Sequence, residues 1–173
     1  MTEPLPSPQT ESAPATPDPG GRPLAGWGRR LAAYLLDGLF SSVVGSAAGG
    51  IAGGVAGLAV YLLAGDDARD AAVVTGVVVG YLVLLFAVAA YYTYLHGNER
   101  GQTWAKRLLG IRVRDEATGG RIGYGRAFAR WILPVLFWNF FFIPGLLDGL
   151  WPLWDAKRQS WHDKIVRSLV VRG

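Results

Sequence analysis

The sequence predicts an all-α membrane protein built on a transmembrane helical hairpin, and three observations lead to this fold class. Two long apolar runs, residues 31–63 and 71–95, can each cross a hydrocarbon core of about 30 Å as a helix. A third apolar region, residues 127–154, is interrupted by three prolines. The hydrophobic fraction is 51% of 173 residues, which leaves no room for a separate soluble enzyme domain.

The chain begins with a segment that has no hydrophobic periodicity. Residues 1–24 are rich in Pro, Ser, Thr and Glu and predict a disordered cytoplasmic tail. A secretory signal is not expected, because the apolar run begins only at Leu31 and the tail before it is acidic and rich in proline. We therefore expect one membrane domain, residues 25–173, to follow this tail.

The first apolar run contains a single carboxylate, Asp37. Inserting an ionisable group into a membrane costs about 2.5 to 3.5 kcal/mol, so such a group needs a partner or a task. Helical spacing places Arg30, Tyr34, Asp37 and Ser41 in one polar stripe that should face protein or a hydrated cavity. Two interpretations stay open: a cation from another segment fixes the packing through Asp37, or Asp37 takes part in transport.

The same run is too long for one straight crossing, so we expect a tilt, a protruding end or a break near its glycines. The glycines recur at every fourth residue, at Gly45, Gly49, Gly53 and Gly57. A face of small residues at this spacing lets a second helix approach backbone to backbone. The pattern leaves open whether that helix belongs to the same chain or to another copy, and a flexible turn is the alternative.

The charges between the apolar runs predict the topology. The link at residues 65–70 is acidic, whereas basic residues predominate over residues 96–126 and 155–173. The positive-inside rule places the basic segments and the N-terminus in the cytoplasm and the acidic link outside. Because the basic residues flank apolar segments, the expected partners are the lipid bilayer and anionic lipid headgroups, and nucleic acid is not expected.

The loop between the second and third apolar regions has two recognisable parts. Residues 101–110 predict a short amphipathic helix with Trp104 on its apolar side. Residues 111–114 and 121–124 alternate in polarity on either side of a glycine turn, which predicts a small cytoplasmic β-hairpin.

The third apolar region can cross the membrane once or return to its starting side. A proline-broken re-entrant hairpin or two short helices would return the basic C-terminal segment to the cytoplasm, and we favour this arrangement. Residues 169–171 could then add a strand to the predicted β-hairpin. Asn139 and Asp148 should face protein or water, since irregular backbone at membrane depth requires such cover.

The residue types argue against enzymatic chemistry. Cysteine is absent, so there are no disulfides or thiolate metal sites. His162 beside Asp163, with Asp155 nearby, lacks the spacing of a metal site, and adjacent His and Asp are typical of a helix cap or an interface. We expect no enzyme activity, no metal and no cofactor.

Three stretches in fixed order carry a resemblance to a known family. They are Arg30 with Asp37, residues 101–115, and residues 158–163 followed by the final Val170-Val171 pair. Together they resemble the RDD family of bacterial membrane proteins, which is named for one arginine and two aspartates. The resemblance assigns the arginine to Arg30 or, failing that, Arg29. It assigns the aspartates to Asp37 and to Asp163, with Asp155 as the alternative.

The resemblance implies a multi-pass protein of the bacterial plasma membrane that transports ions or small solutes, including cation/proton exchange. Tyr34, Asp155 and His162 complete the candidate transport site around the three named residues. The alternative is a scaffold or regulatory subunit that binds a membrane protein partner through its glycine face. Three membrane elements provide few helices to enclose a transport path, so we expect a homo-oligomer.

Overall fold

Two long antiparallel helices dominate the structure, a computed structural model that describes residues 17–173. Helix α1, Trp27–Ala64, and helix α2, Arg69–Gly97, are joined by a 3-10 turn at Asp66–Ala68. By length and composition, both are able to cross a membrane. The predicted hairpin of long apolar helices is therefore present, and α1 continues without a break through its glycines.

The glycine face of α1 packs against α2 of the same chain. Cβ atoms built on Gly49 and Gly53 would collide with the carbonyl oxygens of Gly80 and Gly76. A Cβ built on Gly57 would lie 2.8 Å from the Ala72 carbonyl oxygen. Side chains are excluded along this line, so the two backbones can pack at close range.

A short helix and a two-stranded sheet lie beside the start of α1. Helix α3, Trp104–Leu108, leads into strand β1, Ile111–Asp115, which pairs antiparallel with strand β2, Ser168–Arg172. Val113 faces Val170 in this register. The predicted short helix and C-terminal strand are both present.

The predicted β-hairpin was wrong in one strand. Residues 121–123 form no strand, and Tyr124 already belongs to the next helix. The carboxylate of Asp115 accepts hydrogen bonds from the backbone amides of Ala117 and Thr118, which turns the chain away from the sheet. Gly123, with φ of 76°, then starts the helix, and β1 pairs with β2 instead.

The third apolar region forms two helices that fold against each other. Helix α4, Tyr124–Phe140, and helix α5, Phe142–Leu150, are separated at Phe141. A Cβ on Gly145 would lie 3.1 Å from the Cα of Trp138, so the two helices are in close contact. The indole nitrogen of Trp27 donates to the Gly149 carbonyl oxygen at 2.9 Å, which brings the end of α5 to the start of α1.

The last elements and the N-terminal segment complete the core. After a 3-10 turn, Trp151–Leu153, helix α6 spans Trp161–Ile165. Leu24 forms a bridge with Val171, so residues of the predicted tail lie along β2. The predicted disorder of the first sixteen residues falls outside the described range. Buried side chains of the sheet and its flanks form the core, namely Leu24, Ala25, Ala33, Ala105, Ile111, Val113, Ile122, Ala127, Leu169, Val170 and Val171.

Candidate functional site

Asp37 lies fully buried on α1 and is surrounded by hydrogen-bond donors. The hydroxyl group of Tyr91 donates to its carboxylate at 2.9 Å, and the hydroxyl group of Thr103 donates to its other oxygen. The backbone amide of Ala105 adds a third bond at 3.1 Å. The Lys106 ammonium group lies 3.5 Å away and supplies the opposite charge. The partner expected from another segment is therefore a lysine on α3.

Helix α3 positions three of these donors by its own local geometry. Thr103 caps its N-terminus, and the threonine hydroxyl group accepts a bond from the Lys106 amide. Because the first turn of a helix exposes unpaired amides, the Ala105 amide is free to bind the carboxylate. Thr103 and the first turn of α3 thus deliver a hydroxyl, an amide and an ammonium group to one acid.

Lys106 is itself buried, with 8% of its surface exposed. Burial, together with the nearby Arg130 charge, lowers the pKa of Lys106 to about 8, while the Asp37 charge opposes this change. An ordinary lysine stays protonated far above neutral pH. This lysine can release its proton within the physiological range.

Asp163 forms a second buried centre with two arginines. Its carboxylate binds the Arg130 guanidinium at 2.7 Å and the Arg30 guanidinium on its other oxygen. Ser168 donates its hydroxyl group at 3.1 Å, and the amide of Ser160 donates at 3.3 Å. One carboxylate therefore connects α1, α4, α6 and β2.

The charges around Asp163 determine its protonation state. Burial alone would raise the pKa of Asp163, but the charges of Arg130 and Arg30 hold it well below its usual range. The carboxylate is consequently ionised at physiological pH. This centre has the properties of a permanent structural ion pair.

Three more polar residues lie near these centres. The Nδ1 atom of His162 is 2.7 Å from the Asp148 carboxylate, and its Nε2 atom is 3.5 Å from Asp163. His96, near the end of α2, is buried, and no atom of residues 17–173 hydrogen-bonds either of its ring nitrogens. Asp148 thus faces protein, as predicted, whereas Asn139 is exposed and its amide donates to the Val135 carbonyl oxygen of its own helix.

The structure brings together some of the predicted site residues and separates others. Arg30, Asp163 and His162 lie in one cluster. Asp155 lies apart, where it binds Lys164 and the backbone amide of Gln159. Tyr34 is 58% exposed and leaves the predicted polar stripe, because the buried face of α1 runs through Ala33, Asp37 and Ser41 instead.

Sequence reasoning missed five residues whose side chains contact the two acids: Tyr91, Thr103, Lys106, Arg130 and Ser168. Tyr91 lies in the second apolar run and Lys106 in the predicted amphipathic helix, and neither position marks a partner of a buried acid. One signal was available, since Thr103 before a short helix predicts an N-cap and places Lys106 one turn later. No sequence pattern predicted the contact of Arg130 with Asp163, since Arg130 simply lies at the start of the third apolar region.

The described residues contain no group of three or more His, Cys, Asp or Glu side chains arranged to hold a metal ion. The groups at the two buried acids are ion pairs, hydroxyl groups and backbone amides. Among residues 17–173, the charged side chain that contacts Asp37 is Lys106, whose pKa is lowered.

Comparison with known proteins gives a family and several relatives. The model of the RDD family matches residues 24–167. The chain is 30% identical over 102 residues to the "Proline-rich antigen" of Mycobacterium leprae, a match that covers 54% of the chain and 38% of the relative. It is 33% identical over 85 residues to the "Proline-rich antigen homolog" of Mycobacterium tuberculosis, covering 47% and 34%. The matches thus span little more than a third of these relatives, and no solved structure matches the chain.

Proposed function

Because the chain belongs to the RDD family, we propose that it is a multi-pass protein of the bacterial plasma membrane that exchanges a monovalent cation for a proton at Asp37 and Lys106. In this arrangement α1 and α2 cross the bilayer, and α4 with α5 enters and returns. The N-terminus, α3 and the sheet lie on the cytoplasmic side. Their basic residues, together with the exposed Trp104 and Leu108, then contact anionic lipid headgroups and the interface.

The observation that carries this proposal is the buried pair of Asp37 and Lys106. When a cation binds the Asp37 carboxylate, it takes the place of the lysine ammonium group. Lys106 then loses one proton and becomes a neutral amine. The total charge of the site is the same before and after, so exchange avoids the cost of leaving a buried charge uncompensated.

The pKa of Lys106 sets the expected pH dependence of exchange. Below its pKa of about 8, the ammonium group competes with the cation for Asp37. Above this pH the amine is neutral and competition ends. The apparent affinity for the cation should therefore rise with pH up to about 8 and then level off.

Proton flux in liposomes tests the proposal. Purified protein should collapse a pH gradient when Na⁺ or K⁺ is added, as read from a pH-sensitive dye. Asp37→Asn should reduce this flux at least about tenfold because the cation loses its anionic ligand. Lys106→Arg should do the same, since arginine keeps the charge but does not release its proton.

The matched control is Lys157→Arg, which changes a half-exposed lysine that binds Glu116 at the surface. This variant should exchange ions at the wild-type rate. Wild-type flux in Asp37→Asn or in Lys106→Arg, with the protein folded and inserted, would remove the site from the mechanism.

A second candidate function is that of a non-transporting subunit, and an open groove beside the helix hairpin favours it. The groove has a volume of about 970 Å³ and is lined by small residues, including Ser46, Gly50 and Gly54. A Cβ on Gly50 or Gly54 would meet no atom of residues 17–173 within 4 Å. A helix of a second copy or of a partner protein fits such a face. Co-purification of a partner that is lost on Gly54→Leu, without ion flux, would favour this function.

Neither function makes the chain an enzyme, and neither uses a cofactor. The transporter and the subunit differ in what Asp37 does: it exchanges its counter-ion in the first and only fixes α3 to α1 in the second. Assembly as a homo-oligomer through the open groove is compatible with both.

A further inference from the structure

A second cleft opens at the charged end of the helix hairpin, between α3 and the end of α2. Its volume of about 650 Å³ lies within the range of about 300 to 1,000 Å³ that is usual for sites of small molecules. Its walls come from α1, from the end of α2 with the turn after it, and from α3. Tyr91 and Thr103 line the cleft and also bind Asp37, so the cleft lies directly beside the buried acid.

Two guanidinium groups line this cleft without an ion pair. Arg100 and Arg107 are both exposed, and neither forms a salt bridge with a carboxylate of residues 17–173. The third charged residue of the lining, Glu99, binds Arg121 at 3.3 Å. The cleft therefore carries an excess of positive charge, and an anion is the complementary ligand.

The backbone segments that carry the two arginines are held by hydrogen bonds. The side-chain oxygen of Asn98 accepts bonds from the amides of Arg100 and Gly101, at 2.9 and 3.0 Å. Thr103, which is fully buried, caps α3, the helix that carries Arg107. Because both segments are ordered before an anion binds, less conformational freedom is lost on binding. Guanidinium groups also match the oxygens of a phosphate group in geometry.

Another part of the wall is aromatic and continues onto the apolar surface of α1. Phe40 stacks on Trp104 with ring centroids 5.5 Å apart, and 63% of Trp104 is exposed. Val43 and Val44 follow Phe40 by three and four residues, so they share its face of the helix, and both are exposed. Indole side chains are typical of the membrane–water interface. A ligand with an anionic head and a hydrocarbon chain thus matches the cleft better than a small free anion does.

We propose that this cleft binds one anionic phospholipid of the cytoplasmic leaflet, with its phosphate group on Arg100 and Arg107 and an acyl chain along Phe40, Val43 and Val44. This inference rests on the proposed placement of α3 at the cytoplasmic membrane surface, and it does not depend on ion exchange. It goes beyond the general attraction of basic residues to headgroups, because it assigns one lipid molecule to one site.

Lipid titration of the purified full-length protein in an uncharged detergent, read by native mass spectrometry, tests the site. A micelle of such a detergent lacks the charged surface of a bilayer, so the measurement reports binding to the protein alone. Phosphatidylglycerol should bind as one molecule per chain, at least about fivefold more tightly than phosphatidylcholine, which is the contribution of about one basic residue near an anionic lipid. Equal binding of the two lipids to the wild-type protein would overturn the proposal.

Single substitutions locate the lipid on the protein. Arg100→Gln and Arg107→Gln should each weaken phosphatidylglycerol binding about fivefold and leave phosphatidylcholine binding unchanged. The matched control is Arg172→Gln, which removes the charge of an exposed arginine outside the cleft and should stay within about twofold of wild type. Wild-type binding in both cleft variants, or an equal loss in all three variants, would overturn the assignment.

Glycerol phosphate distinguishes a lipid from a soluble phosphate compound, because it carries the anionic head without acyl chains. At the same concentration as the lipid, it should leave phosphatidylglycerol binding within about twofold, since it lacks the apolar contacts. Displacement of the lipid by glycerol phosphate or by inorganic phosphate would assign the cleft to a soluble phosphate and overturn the proposal.

The lipid measurements use no ion gradient, so their failure is distinct from failure of the proposed exchange. Absence of ion flux in liposomes would defeat the exchange at Asp37 and leave the lipid site in place. Loss of the preference for phosphatidylglycerol would remove the lipid site and leave the exchange intact.

Discussion

The two buried aspartates differ in what neutralises them. Asp37 is bound by two hydroxyl groups, an amide and one lysine, whereas Asp163 is bound by two arginines. Lysine can lose its proton when buried, but arginine cannot. In the proposed function, Asp37 is therefore the acid that exchanges its counter-ion, and Asp163 holds elements together.

Asp163→Asn should destabilise the fold because it leaves Arg30 and Arg130 buried without a counter-charge. Loss of one partner from a buried pair costs about 3 to 5 kcal/mol. Thermal unfolding in detergent, followed by circular dichroism, measures this loss. Asp155→Asn is the matched control, because its lysine partner is half exposed and such a pair contributes within about 1 kcal/mol. Equal stability of the two variants would contradict the assignment.

The protonation of Asp163 also makes the stability of the fold depend on pH. Its pKa is lower in the folded protein than in the unfolded chain, so the folded state binds fewer protons. The stabilisation is complete above the unfolded pKa of about 4 and is lost as pH falls through the folded value. Acid titration of unfolding should show this loss in wild type and not in Asp163→Asn.

At the scale of the elements, the contact between α1 and α2 depends on the absence of side chains at particular positions. All four glycines at 49, 50, 53 and 54 line the groove. A Cβ on Gly49 or Gly53 would collide with α2 backbone atoms, whereas a Cβ on Gly50 or Gly54 would meet no atom of residues 17–173 within 4 Å. Adjacent glycines in one sequence run thus have different roles. The apolar character of both helices, by contrast, is general and tolerates exchange of one hydrophobic residue for another.

Gly53→Ala should weaken the helix hairpin, since its Cβ would collide with the Gly76 carbonyl oxygen and approach the Gly80 Cα to 3.1 Å. Overpacking of this kind costs about 1 to 3 kcal/mol. Gly54→Ala meets no atom of residues 17–173 within 4 Å and should be neutral or stabilising by up to about 1 kcal/mol through helix propensity. Thermal unfolding of both variants measures the difference, and a Gly53→Ala as stable as Gly54→Ala would contradict the packing.

At the scale of the whole molecule, the polar contacts gather at one end of the helix hairpin. The start of α1, the end of α2, α3, the sheet and α6 meet around Asp37 and Asp163. The opposite end carries the acidic turn at residues 66–68. The buried charged side chains are therefore concentrated at one end of the hairpin, and the rest of the hairpin has an apolar surface suited to lipid.

Cysteine labelling tests which end faces the cytoplasm. The chain has no cysteine, so a single introduced thiol reports its own side. Asp67→Cys, in the acidic turn, should react with an impermeant maleimide in intact cells. Ala117→Cys, exposed in the turn after β1, should react only after permeabilisation. The reverse pattern would place α3 and the sheet outside and contradict the proposed orientation.

Much of the fold followed from local patterns in the sequence. The long apolar runs predicted the two helices. The position of Asp37 within an apolar run predicted that this acid has a partner. The strand partner of β1 was harder to predict, because residues 121–124 alternate in polarity and residues 169–171 form a short apolar run, and both patterns are compatible with a strand. The turn around Asp115 and the start of α4 at Gly123 decided between them.

The sequence by itself determined which segments are suited to lipid, where the small residues repeat and which acids are out of place, because these depend on hydrophobicity and spacing along one helix. Only the tertiary structure decided that Lys106 pairs with Asp37, that Arg130 joins Arg30 at Asp163 and that Tyr34 faces outward. The physical reason is distance along the chain. A charge finds its partner through the packing of several elements, and no local pattern records that packing.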